Sequence, residues 1–114
     1  MKSDIKKLWI KQIQAAKELS EYGELNSAGV LDPAGILCDI HRKRIKKAGW
    51  KDTMGTNTGT LSYMGATEEM PEAVWKWAGL DSSDPQLKNG KTLNETWDDG
   101  ISVKALVRLM ETSL

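Results

Sequence analysis

The segment Met70-Pro-Glu-Ala-Val-Trp-Lys-Trp-Ala-Gly-Leu80 constrains this chain most, because it spells out a short helix with both ends marked. Pro71 suits the first helical position, where its missing N–H removes no hydrogen bond. Gly79 suits the left-handed residue after the last turn. Ala73, Val74, Trp77 and Ala78 share one face at helical spacing, which makes Trp77 the expected core anchor. Trp75 lies about 200° from Trp77 around the axis, so the two indoles cannot enter one pocket. The helix-ending motif sets Leu80 against Trp75. An indole covered only by Leu80 keeps a large apolar face, and such faces favour interfaces. Trp75 is read both as a terminator and as a contact residue.

The other elements follow from similar punctuation. Ser3 is a cap for a first helix running to about Tyr22, with Ile5, Trp9, Ile13, Ala16 and Leu19 as its buried stripe. Residues 23–31 break that pattern and suit a turn or short extended piece. Asp32-Pro33 opens a second helix through Ile36, Leu37, Cys38, Ile40, His41 and Ile45, ending at Ala48-Gly49. One loop and one short strand are expected between Gly49 and Gly65, where Leu61 and Tyr63 alternate with Thr60 and Ser62. Asn89-Gly90 is a two-residue hairpin signal. Thr92 and Glu95 have capping-box spacing for a helical turn ending near Trp97. Asp98-Asp99-Gly100 turns the chain, and Ser102 caps a last helix with Val103, Leu106, Val107, Met110 and Leu114 as its stripe. The expected architecture is helix-dominated α+β, one domain over residues 1–114, with a small hairpin or short sheet.

Composition narrows the class without naming a function. At 114 residues the chain is long enough to close a core without metal or disulfide staples. Sixteen basic residues balance sixteen acidic ones, so no global charge points to nucleic acid, a membrane or an acidic substrate. A single cysteine forms no internal disulfide, and no apolar run reaches membrane-spanning length, so a soluble cytoplasmic protein is expected. Five Trp, two Tyr and no Phe leave tryptophan as the main aromatic anchor, and each buried indole N–H then needs an acceptor.

The run Leu31-Asp-Pro-Ala-Gly-Ile-Leu-Cys-Asp39, with Trp50, Tyr63-Met-Gly65, Met70–Leu80, Thr92-Leu-Asn94 and Asp99-Gly-Ile-Ser102, resembles a family of small uncharacterised bacteriophage and prophage proteins. The order and spacing of these pieces carry the resemblance across most of the chain. It departs from that pattern at Trp75, in the basic stretch after Asp39, and at Trp97-Asp98. The resemblance implies a phage setting in the host cytoplasm. It supplies no catalytic residues, and small phage proteins of this kind commonly bind and redirect host or defence components.

Residues with chemical potential each have a simpler explanation. Cys38 and His41 share a helix face, yet structural zinc takes four ligands and this chain has one Cys and one His. A Cys–His nucleophile also needs an orienting third group. Leu37 and Ile45 flank His41, so a hydrogen-bonded core or boundary histidine is expected. Arg42, Lys43, Arg44, Lys46 and Lys47 could meet phosphate or an acidic partner, although cations at a helix C-terminus also complement its dipole. The loop Gly55-Thr-Asn-Thr-Gly59 lacks the ending of a phosphate loop. Glu68, Glu69 and Glu72 are read as helix-dipole partners, and Asp98-Asp99 lacks calcium-loop spacing.

Three functions remain. The favoured one is a non-enzymatic binding protein with counter-defence as its purpose. It docks on a host or anti-phage protein through Trp75, Arg42, Arg44, Lys46 and Lys47. The alternative is sequestration of a nucleotide-like ligand by Trp50, Asn57 and Tyr63, with a second copy of the chain closing the site. An enzyme ranks last, since no acid–base pair is recognisable. No catalytic residue, metal or cofactor is assigned.

Overall fold

The computed structural model describes residues 1–21, 23–53 and 59–114. Among them, five helices and a four-stranded antiparallel sheet surround one core, so the fold is α+β and helix-dominated. Asn57 and most of the Gly55–Gly59 loop lie outside the described residues.

Helix α1 spans Ser3–Ala15 and buries Ile5, Trp9, Ile10 and Ile13. It stops well before Tyr22, because the chain turns extended at Ala16. The backbone beyond is taken by other partners: the Ser20 N–H donates to Leu31 O at 2.9 Å, and Trp97 Nε1 donates to Ser20 O at 2.7 Å. Ala16 and Leu19 still pack on the core, though outside the helix. The cap position belongs to Lys2 rather than Ser3, and its backbone N–H donates to Ala78 O at 2.9 Å.

Strands β1 (Asn26–Ser27), β2 (Val30–Leu31), β3 (Trp50–Asp52) and β4 (Thr60–Tyr63) form the sheet in the order β2-β1-β4-β3. Sequence signals indicated one strand in the second half of this set, and there are two. Two tight turns use a positive φ at both central residues, Ala28-Gly29 between β1 and β2 and Met64-Gly65 after β4. This geometry matches the twist of antiparallel strands. Asn89-Gly90 also turns tightly, but its arms make only the bridge Gln86↔Thr92. The second arm cannot extend, because Thr92 becomes the N-cap of α4.

Helix α2 (Pro33–Ile45) begins as expected, with Asp32 Oδ1 accepting from Gly35 N at 2.7 Å and Pro33 in the first turn. It ends at Lys46, in the left-handed region, three residues before the expected stop at Gly49. Trp50 belongs to β3, where it pairs with Tyr63. Helix α3 (Glu72–Ala78) has Pro71 as its N-cap, one position earlier than expected. Gly79 adopts φ 79°, and Leu80 N donates to Trp75 O at 2.9 Å, the expected termination. Trp77 is only half-buried and Ala73 is exposed, so Val74 and Ala78 anchor this helix in the core. Helices α4 (Leu93–Asp98) and α5 (Val103–Ser113) carry the full capping box at Thr92/Glu95 and the Ser102 cap.

Gly35 has a packing reason to be glycine. A Cβ there would stand 1.9 Å from the Leu25 carbonyl oxygen, whereas one at Gly49 meets nothing within 4 Å. Gly35→Ala is expected to lower the unfolding free energy by about 3 kcal/mol or more. Gly49→Ala should stay within about 0.5 kcal/mol of the parent. Urea unfolding of the two variants side by side checks the contrast.

Candidate binding surface

The C-terminal half of α2, β3, the end of β4 and α3 meet around one buried polar contact. His41 is 2% exposed, and its Nδ1 lies 2.7 Å from the Tyr63 hydroxyl, itself fully buried. The imidazole also packs edge-on against Trp77, ring centroids 5.1 Å apart, and Tyr63 stacks at a tilt on Trp50, 5.2 Å apart. His41 Nε2 is buried without a hydrogen-bond partner among the described residues. Burial pushes the His41 pKa down, which favours the neutral ring, and pushes the Tyr63 hydroxyl up to about 12. The expectation of a hydrogen-bonded core histidine is met.

Asp39, one helical turn from His41's neighbours, ties this aromatic row to the cations. Its Oδ1 accepts from Arg42 Nε at 2.6 Å and from Trp50 Nε1 at 3.1 Å, while Lys43 Nζ lies 3.4 Å from Oδ2. Partial burial pushes the Asp39 carboxyl up. The bonds from Arg42 and Trp50, with the charges of Arg42 and Lys43, outweigh it and hold the pKa below the usual value. Trp50 is thereby fixed at partial exposure, and Arg44, Lys46 and Lys47, in the chain before it, are all exposed. None of these three joins an ion pair among the described residues.

The structure therefore brings Arg42, Trp50 and Tyr63 into one cluster, through Asp39 and the Trp50–Tyr63 ring contact, while Arg44, Lys46 and Lys47 are exposed at and just past the end of α2. It does not bring Trp75 there. Trp77 contacts His41 of α2, so Trp75, about 200° round the same helix, faces away from α2. Tyr63 offers no exposed ring face for stacking, which corrects its assignment as a ligand-binding residue. The role of Asp39 was half legible: its spacing to Arg42 and Lys43 is the i+3 and i+4 pairing of a helix. Its bond to Trp50 crosses from helix to strand and has no local signal.

The other reactive groups are packed away. Cys38 is fully buried, and burial raises its thiol far above the usual range, which disfavours the thiolate. No group of three or more His, Cys, Asp or Glu among the described residues is arranged to hold a metal ion. Asp32 is buried as the α2 cap, and burial raises its pKa to about 7. The Gly35 N–H opposes that rise, and the charges of Asp98 and Asp84 add to it.

These features define a small α+β protein with buried polar pairs inside and aromatic and cationic groups at its surface. The chain belongs to a family described as a domain of unknown function (DUF8296), which spans residues 1–111. No curated protein and no solved structure matches it. Among the described residues, no helix is long and apolar enough to cross a membrane.

Asp32 sets a testable pH dependence. The unfolded chain releases this proton near 3.8, whereas the folded chain holds it to about 7. Its contribution to stability is therefore complete below the lower value and is lost as pH rises through the upper one. Asp32→Asn keeps an oxygen for Gly35 N and carries no charge. Its stability relative to the parent should rise between those limits with a slope approaching about 1.4 kcal/mol per pH unit. Chemical denaturation across that range checks the slope. His41, whose lowered pKa costs stability on the acid side, is common to both proteins and drops out of the difference.

Proposed function

We propose that this chain is a non-enzymatic binding protein that docks on another protein through the end of α2 and the adjoining β3. The observation that carries the reading is the Trp50 indole, fixed by Asp39 at partial exposure with Arg42 and Lys43 on the same carboxylate, while Arg44, Lys46 and Lys47 are exposed at and just past the end of α2. Tryptophan and arginine dominate the energetics of protein interfaces. An indole already held in place loses little further freedom on binding. The peripheral cations then steer an acidic surface toward it. The helix dipole accounts for cations in the last turn of α2, but not for Lys47, which lies beyond it.

The resemblance of Leu31–Asp39, Tyr63–Gly65 and Met70–Leu80 to small phage and prophage proteins supports a phage origin and action in the host bacterial cytoplasm. On that reading the target is a host or anti-phage defence protein and the purpose is counter-defence. Trp75 is left to its role at the end of α3.

Native mass spectrometry of the protein purified gently from infected or defence-bearing bacteria tests this. A stoichiometric second protein is expected. Arg44→Glu with Lys47→Glu should weaken that complex at least tenfold, about 1.4 kcal/mol, without changing the melting temperature. A bare monomer, or a complex indifferent to the double variant, overturns the reading. A small added mass in place of a protein would favour ligand sequestration instead.

A further inference from the structure

A second surface lies between α1 and α5. A groove of about 370 Å³ runs there, lined mainly by α1, through Lys6, Lys7, Ile10, Lys11 and Gln14, with Glu111 alone from α5. Lys7, Ile10 and Gln14 follow one another at helical spacing along one stripe of α1, with Lys11 one turn beyond Lys7. Ile10 forms the recessed floor at 9% exposure. The Lys6 ammonium reaches α5 and donates to the backbone oxygens of Glu111 and Leu114, each at 2.7 Å. Its methylene stem therefore lies along the groove wall, and most of the lining is carbon. Lys7 and Lys11 are exposed and join no ion pair among the described residues. The lining carries three amines and one carboxylate, that of Glu111.

We propose that this groove receives an acidic amphipathic helix of a partner protein. The lining selects that occupant by its chemistry. Two helices flank the groove, and helix backbones have their N–H and C=O groups already paired, so an added strand would find nothing to bond. An incoming helix needs only a furrow for its apolar ridge, which Ile10 and the lysine stems supply. Its Glu or Asp residues beside that ridge would meet Lys7 and Lys11. A membrane surface fits poorly, because the one apolar side chain is recessed and offers nothing to insert. The surface around Trp50 is not needed for this contact.

Fluorescence anisotropy with a labelled designed peptide tests the inference. The probe is an acetylated helix of about 16 residues, long enough to fold on the surface, with a leucine stripe flanked by glutamates. Saturable binding to the intact chain is expected, weakening as salt is raised. Lys7→Glu with Lys11→Glu should weaken it at least about tenfold while leaving the circular dichroism unchanged. A scrambled peptide of the same composition should bind at least about tenfold more weakly. Equal binding of the scrambled peptide would reduce the contact to bulk charge and overturn the proposal. So would no binding, indifference to the lysine pair, or a loss seen with Arg44→Glu and Lys47→Glu instead. Binding to phosphatidylserine vesicles without peptide binding would likewise overturn it in favour of a lipid surface.

Discussion

The backbone of Leu25 is the junction on which the rest of the structure depends. Its carbonyl accepts the Asp32 N–H at 3.2 Å, and its N–H donates to Thr67 O at 2.7 Å. The first turn of α2 lies so close to that carbonyl that only a residue without Cβ fits at Gly35. Three parts of the chain meet here: the β1–β2 hairpin, the start of α2 and the segment after β4. The same approach buries the Asp32 carboxyl, which caps α2 through the Gly35 N–H. The raised pKa of Asp32 is thus a consequence of close packing at a structural joint.

Once α2 is seated, helical spacing distributes its side chains. Leu37, Cys38 and His41 go inward, while Asp39 and Arg42 come to the surface beside Trp50. The buried His41–Tyr63 bond links α2 to β4, and Trp77 and Trp50 pack around it from two further elements. The His41 Nδ1–Tyr63 bond favours the one arrangement that makes it, although His41 Nε2 finds no partner among the described residues. This arrangement gives the outer indole a fixed position, the property on which the proposed docking surface relies.

Tryptophan supplies much of the long-range connection. Trp9 Nε1 donates to Pro33 O at 2.7 Å, and Trp97 Nε1 donates to Ser20 O at the same distance. Each is a large apolar body whose polar edge requires a particular carbonyl, so each specifies a relative position as well as filling volume. The Trp97 bond also bears on the early end of α1. A carbonyl at Ser20 that accepts from Trp97 lies on chain that has already left the helix. The apolar spacing through Ala16 and Leu19 described real burial, but not the conformation that achieves it.

What the sequence determined by itself was local: the cap at Asp32, the capping box at Thr92 and Glu95, the Ser102 cap, the Gly79 stop and the apolar stripes of α1 and α5. Each is set by groups within a few residues of one another, so its energetics are complete in a short segment. The ends of α1 and α2, the second strand of the β3–β4 pair and the half-buried state of Trp77 required partners far along the chain. The same holds for the candidate surface. Arg42 and the cations around it were legible as a cluster, but the Asp39–Trp50 bond and the burial of Tyr63 were not. Only the tertiary structure decided them, because a hydrogen bond across elements depends on where packing places both partners.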